Sequence, residues 1–364
     1  MSRGDHAPLA PSSADRWSEC SASVSFEARY PEREDSPSAI EGTQAHAVMS
    51  TMLTAQPTPD YATDEMLEGA AMMFQRAMQH WEAGRNIVIE QPVKIESIHK
   101  DCWGTPDFYV IDQAAKRLWV EDYKFGHRYV PPTTRQLVCY AAGALESVGE
   151  SGIGWEINLT VVQPRNYHPS GPVRTLTMTG EQLGREVTFL QHAAKMVYEA
   201  PSTRINDQCS NCRARHACPS QALAAAYSMD VASFTTPLDM PVEGMARELM
   251  TLERAGDILK ARASGIREEL TYRAKKGEAV RNWMLEQGGG RLGWNKSADE
   301  VYALGQMFGV ELAGIGWIKT PTQAIKLGVP EAVVNSYSER KQGEIKLVPD
   351  DGSKAQRIFG ASNV

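Results

Sequence analysis

The sequence predicts an α/β fold, a mixed β-sheet flanked by helices, followed by a mainly helical C-terminal region. Three observations carry this. Strand-like apolar runs lie on both sides of a segment with helical period at residues 133–147. Two of these runs form a hairpin around Asp112–Arg117. After about residue 230 the strand signals give way to one long 3-4 apolar repeat.

Taken in order, residues 1–11 read as a loose, flexible tail. Pro11-Ser12-Ser13-Ala14 opens a short helix with Ser12 or Ser13 as N-cap. Further helices are expected over about 40–53 and 63–83, then a strand running from Val88 to Ile95. Phe108–Ile111 and Leu118–Val120 form the hairpin, and Leu137, Tyr140, Ala141, Ala144 and Leu145 mark the embedded helix. Strands at 153–162 and 173–178 and a helix at 183–198 lead to a cysteine-rich segment. These elements make one domain over residues 12–229. Residues 230–364 form a second region, in which Leu249, Leu252, Gly256, Leu259, Ala263, Ile266 and Leu270 mark a long helix over 241–276. Gly256 and Ala263 favour packing of that helix on the core, hence a monomer, over a subunit seam.

Hydrophobic residues make up 42% and charged residues 23% of the 364, ordinary globular values that exclude global disorder. No apolar run reaches the ~18–20 residues of a membrane span, and the N-terminus lacks the apolar core of a signal peptide, so a cytoplasmic protein is expected. The net charge of −7 argues against broad, non-specific nucleic-acid binding but not against a local basic channel. Arg254, Lys260, Arg262, Arg267, Arg273, Lys275, Lys276 and Arg281 supply such a local excess on the long helix and just beyond it.

The chemistry concentrates on the hairpin. If it is centred between Ala114 and Ala115, Asp107 falls opposite Asp122, and opposed residues lie ~4.5–5.5 Å apart. Two carboxylates that close need a cation between them, or one must be protonated. Lys124 shares the strand face of Asp122, and Gln136 and Tyr140, four apart, share a helix face. Asp107 and Asp122 offer oxygen ligands to magnesium, and His46 completes the set for manganese. Lys124 would steady an attacking hydroxide and a phosphate. Glu121 precedes Asp122 and can share the acid role. Cys20 and the C-x2-C-x5-C run Cys209, Cys212 and Cys218 supply four thiolates for an iron–sulfur cluster, or equally for zinc. Cys102 and Cys139 sit beside apolar residues and read as inert buried thiols.

E-G-T-Q-A-H, G-T-P-D, E-D-Y-K-F-G and Q-L-V-C-Y-A, in this order, resemble the RecB-type nuclease domain of the PD-(D/E)xK superfamily over about residues 12–222. The cysteine layout resembles that superfamily's iron–sulfur branch, known from AddB-type helicase–nucleases and CRISPR adaptation nucleases. The resemblance implies a restriction-endonuclease-like core. It implies catalytic roles for Asp107, Asp122, Lys124, Gln136 and Tyr140, and a magnesium or manganese site at His46, Asp107 and Asp122. It also implies a 4Fe-4S cluster on Cys20, Cys209, Cys212 and Cys218.

The function so implied is a deoxyribonuclease, an exonuclease acting on DNA ends in phage-type recombination, repair or processing. It would work in a bacterial host beside a single-strand annealing protein or a helicase. Two rivals stand beside it: a non-catalytic DNA-binding or adaptor protein on a nuclease fold, and a zinc-stapled RNA-processing module.

Overall fold

The computed structural model describes residues 7–30, 36–233, 240–314 and 317–350. The chain divides into two compact units, Met1–Arg262 and Ala263–Val364. The division falls inside the long helix, later than the change of character expected near residue 230.

In the first unit, Ala14–Trp17 (α1) and Ser23–Glu27 (α2) precede two longer helices, Pro37–Leu53 (α3) and Asp64–Glu82 (α4). Ser36 caps α3 with its hydroxyl on Ala39 N and Pro37 in the first turn, and Thr63 caps α4 through Met66 N. Short strands Ile87–Ile89 (β1), Val93–Lys94 (β2) and Trp103–Gly104 (β3) lead into the hairpin Phe108–Asp112 (β4) and Arg117–Tyr123 (β5). Arg135–Glu146 (α5) crosses to Glu156–Val162 (β6), followed by Val173–Thr179 (β7) and Gly180–Glu199 (α6).

The main sheet runs β1-β4-β5-β6-β7. Only β5 and β6 are parallel, and the other neighbours pair antiparallel, so the sheet is mixed. Its two faces bury separate clusters. Leu118, Val120, Ile157, Leu159 and Val161 pack with Leu137, Ala141, Leu183 and Leu190 of α5 and α6. Phe108, Val110, Tyr123 and Val162 pack with Val48, Met49, Met66, Ala70 and Met73 of α3 and α4. Alternation along β5 therefore decides which layer each side chain enters.

Three expectations are corrected. Ala7 and Leu9 do not belong to a loose tail: both are buried, Leu9 N donates to Asp101 O at 3.2 Å, and the Leu9 side chain joins the core cluster on the α5 face. The strand expected from Val88 to Ile95 is two strands in different sheets, since Glu90 turns the backbone at φ 46°. Ser13 begins α1 without a side-chain cap, its hydroxyl donating back to Ala10 O at 3.1 Å.

Pro219–Ser233 (α7) follows the cysteine segment, and Val242–Lys275 (α8) spans the unit division. Within the first unit the apolar repeat on α8 is not sealed by the core as expected: Leu249 and Leu252 are exposed. Its charges partly pair along the helix, Lys260 with Asp257 at 3.7 Å and Arg273 with Glu269 at 2.9 Å.

The second unit holds a two-stranded antiparallel ribbon, Trp283–Trp294 (β8) with Ser338–Pro349 (β11). Between them lie Ala298–Met307 (α9), a short pair Ala313–Gly314 (β9) and Trp317–Ile318 (β10), Pro321–Lys326 (α10) and Glu331–Ser336 (α11). A small core of Val301, Leu304, Leu312, Ala324, Val329 and Val334 holds it together. Among the described residues no helix is long and apolar enough to cross a membrane.

Candidate active site

The hairpin register is the one the sequence implies. Asp112 pairs with Arg117 and Phe108 with Glu121, so the next step sets Asp107 against Asp122. Ala115 N donates to Asp112 Oδ1 at 2.9 Å and Lys116 takes φ 52°, which closes the turn around that centre. Asp107 lies just outside β4, held by its own backbone and side chain. Its carbonyl accepts from Glu90 N at 3.0 Å, and its Oδ2 accepts from Tyr123 N at 2.6 Å. The turned backbone at Glu90 thus has a visible consequence, a donor aimed at the Asp107 peptide.

Lys124 Nζ stands 2.9 Å from Asp122 Oδ2 and 3.0 Å from Oδ1, and donates to Gln136 Oε1 at 3.1 Å. Gln136 Nε2 donates to the same Asp122 Oδ1 at 3.1 Å, so amide, ammonium and carboxylate form a closed triangle. Asp122 Oδ2 is buried, and its ammonium neighbour lies off the hydrogen-bonding line, which leaves that oxygen with no hydrogen-bond partner. His46 on α3 reaches the other carboxylate, Nδ1 to Asp107 Oδ1 at 3.2 Å, with its ring edge-on to Tyr123. Tyr140 lies one helical turn from Gln136, and burial pushes its hydroxyl well up.

Burial disfavours charge on every member of this group, and the members offset it for one another. Asp107 is held below the usual carboxylate range, because His46, Lys124 and the Tyr123 N–H outweigh its burial. Burial keeps Asp122 above that range, Lys124 pulling it down and Asp107 pushing it up. His46 and Lys124 are both raised against their own burial, chiefly by Asp107 and by Asp122 respectively.

Glu121 does not share the site. It points to the opposite face of the sheet, fully buried, where Arg76 Nη2 and Nε donate to its two oxygens at 2.7 and 3.2 Å. Gly104 of G-T-P-D serves shape: a Cβ there would lie 3.1 Å from Pro11 and 3.2 Å from the Tyr140 ring.

The cysteine segment is stitched to the N-terminal helices. Ala22 N donates to Ser202 O at 3.1 Å, Ser202 N to Ser21 Oγ at 2.9 Å, and Arg213 N to Glu27 Oε1 at 2.9 Å. Cys20, Cys209, Cys212 and Cys218 are all free and part-exposed, and Cys102 and Cys139 are free and buried. Burial raises the Cys20 thiol, and Cys218 and Cys209 lie near enough to add to the rise. Burial pushes Cys212 up to about 12, with Glu27 and then Cys20 contributing.

Among the described residues no three His, Cys, Asp or Glu side chains already stand together as a metal-holding group. The donor chemistry nonetheless fits both cofactors. Asp122 Oδ2 is a buried oxygen faced by the Lys124 ammonium at 2.9 Å, with a second carboxylate beside it. Burial keeps the Cys20 and Cys212 thiols protonated until a cation offsets it.

Sequence reasoning missed the residues that orient this group. Asp15 and Glu90 carry no motif and act through contacts distant in sequence. Only Asp15, an acid in the first turn of a short helix, left any local trace.

The family described as "Protein of unknown function (DUF2800)" matches residues 6–351. A crystal structure of LHK-Exo in complex with dAMP matches at 14% identity over 50% of this chain and 92% of that chain, with a TM-score of 0.21, a likeness too slight to carry any argument.

Proposed function

We propose that this chain, which belongs to the DUF2800 family, is a metal-dependent deoxyribonuclease whose active site is Asp107, Asp122, Lys124 and Gln136, with His46 and Tyr140 beside them. The observation that carries this is the triangle of Lys124, Asp122 and Gln136 facing a second carboxylate one register step beyond the hairpin pairs. A structural salt bridge on a sheet does not require a second, half-buried carboxylate beside the buried Asp122.

A divalent cation held by Asp107 and Asp122, with His46 assisting, would polarise the scissile phosphate and acidify a water. The chain's own groups do the rest. Lys124 has three N–H donors; Asp122 and Gln136 engage two, leaving one for a phosphate oxygen on which negative charge grows. Gln136 keeps the ammonium from collapsing fully onto Asp122. His46 Nδ1, 3.2 Å from Asp107 Oδ1, orients that carboxylate, and as a ligand its imidazole would be neutral. Tyr140 follows Gln136 on the same face of the helix, one turn on.

In this reading residues 12–229 are the nuclease domain. Cys20, Cys209, Cys212 and Cys218 hold a 4Fe-4S cluster of structural role, closing the N-terminal helices onto the 200–218 segment. Attack on DNA ends as an exonuclease, within phage-type DNA processing, is the biological role this reading favours. The test is anaerobically purified protein incubated with end-labelled linear and circular DNA, with and without manganese. Loss of label from linear DNA only when metal is present is the expected result. No degradation of either DNA under any metal would overturn the reading.

A further inference from the structure

Two loops leave the sheet at the edge that carries the site. β5 and β6 run parallel with Tyr123 against Val162, and Lys124 N extends the ladder to Val162 O at 2.9 Å. The segments that follow, 125–133 and 163–172, therefore emerge side by side from the carboxyl ends of parallel strands, where open α/β sheets receive ligands.

Their backbones are fixed by buried polar groups. Gln163, fully buried, donates from Nε2 to Gly126 O and Arg128 O, both at 2.7 Å, and its Oε1 accepts from Val130 N at 3.2 Å. Arg174, also buried, donates to Gln163 Oε1 at 2.6 Å, Val130 O at 3.0 Å and Gly171 O at 2.8 Å. Asn166 Nδ2 ties the second loop to His127 O at 2.9 Å.

On this rigid base the side chains turn outward. Tyr167 is 95% exposed, Tyr129 is 40% exposed, and Tyr129 meets the exposed His168 ring at 4.3 Å between centroids. Arg128 and His127 are exposed beside them. A loop held by two buried polar side chains, yet ending in a bare tyrosine, has no packing reason for that ring. Arg165 is not part of the exposed charge: Glu41 and Glu65 engage it at 2.8 and 3.0 Å.

We propose that Tyr167, His168 and Tyr129, with Arg128, form a stacking platform for single-stranded DNA leading to Lys124. This rests on the nuclease reading for its substrate and adds which form of DNA the site receives. A ring standing free, as Tyr167 does, stacks on unpaired bases, whose faces are open, whereas duplex bases are covered by their neighbours. Tyr129, engaged by the Arg174 guanidinium at 4.8 Å and by His168 at 4.3 Å, backs the His168 ring. Arg128 supplies the phosphate contact that such platforms combine with stacking.

The test is fluorescence anisotropy of the full chain with a fluorescein-labelled oligothymidylate of about fifteen nucleotides, a length within one platform's reach, and with a duplex of equal length. EDTA in the buffer prevents turnover. The parental protein is expected to bind the single strand more tightly than the duplex. Tyr167→Ala and His168→Ala should each weaken single-strand binding by roughly tenfold, the loss of one base–ring stack, with duplex binding and melting temperature unchanged. Binding of the single strand equal to that of the parent, an equal loss on both DNAs, or no parental preference would overturn the platform. If the parent cuts no DNA in manganese while the Tyr167 difference persists, the nuclease reading falls and the platform stands.

Discussion

Asp15 and Thr134, 119 residues apart in sequence, cap the helix that carries Gln136. Thr134 Oγ1 donates to Asp15 Oδ2 at 2.6 Å while accepting from Gln136 N at 3.4 Å, and Arg135 N donates to Asp15 Oδ1 at 3.1 Å. The first turn of α5 thus has its unpaired donors satisfied by a carboxylate from α1, whose charge also suits the positive end of the helix. Helix start and side-chain triangle are one construction.

Asp15→Ala should therefore cost about 1–2 kcal/mol of stability, the usual loss for a helix cap. Urea unfolding checks this. Because Gln136 sits within the loosened turn, the same variant should also lower nuclease turnover severalfold without changing the metal bound per chain at the cysteines. A stability equal to the parent's would mean solvent caps the helix equally well.

The pair Arg76–Glu121 gives a second expectation. Glu121 is fully buried and its carboxyl is pushed up by burial despite the guanidinium. Arg76→Met leaves that carboxyl without its bidentate partner, and removal of one member of a buried pair costs about 3–5 kcal/mol. Combining it with Glu121→Leu should recover most of the loss, because an apolar pair of similar volume pays no desolvation. Denaturant midpoints of the single and double variants measure the difference.

The fold was legible wherever local pattern and long-range pairing agree. The hairpin is centred between Ala114 and Ala115 because apolar alternation on both strands admits one register that keeps Phe108 and Val110 inward. The split at Glu90 was not legible, since apolar alternation continues across a residue whose φ is set by Asp107 and Ser50 rather than by its own neighbours. Nor was the exposure of Leu249 and Leu252: a 3-4 repeat says that a face exists, not what covers it. Spacing alone brings Asp107, Asp122 and Lys124 together, whereas Arg76 announces itself only through its contacts with Glu121.

His80 sets a pH dependence. It is buried between Phe108 and Trp119, with Arg85 Nη1 3.4 Å from Nδ1, and burial followed by Arg85 and Arg76 lowers its pKa to about 4. The unfolded chain takes up a proton near pH 6.5 that the folded chain refuses until about pH 4. Stability from this group is complete above pH 6.5 and drains away as pH falls toward 4. Thermal melts from pH 7.5 to 4.5 should show the decline, and His80→Gln should flatten part of it. A parallel decline in the variant would assign the effect to other groups.

Metal content separates the two kinds of cysteine. Anaerobic purification should give a brown protein with about four irons and four sulfides per chain. Cys20→Ser should lose the colour, and Cys102→Ser and Cys139→Ser should keep it. One zinc per chain without visible absorbance would replace the cluster with a zinc site.

The site itself makes the sharpest demand. Asp107→Ala and Asp122→Ala remove the two carboxylates that would hold the cation, so both DNA degradation and metal binding should be lost. Lys124→Ala is expected to behave differently. Its ammonium serves the phosphate in the transition state, so turnover should fall by about 10²–10³. Metal affinity should be kept or slightly raised, because Asp122 Oδ1 and Oδ2 lose their competing cation. Gln136→Ala, which removes the group that braces that ammonium, should fall between the parent and Lys124→Ala. Isothermal titration with manganese and single-turnover cleavage of linear DNA measure the two quantities independently. Parental cleavage rates in folded, iron-loaded Lys124→Ala and Asp122→Ala proteins would place the active site elsewhere.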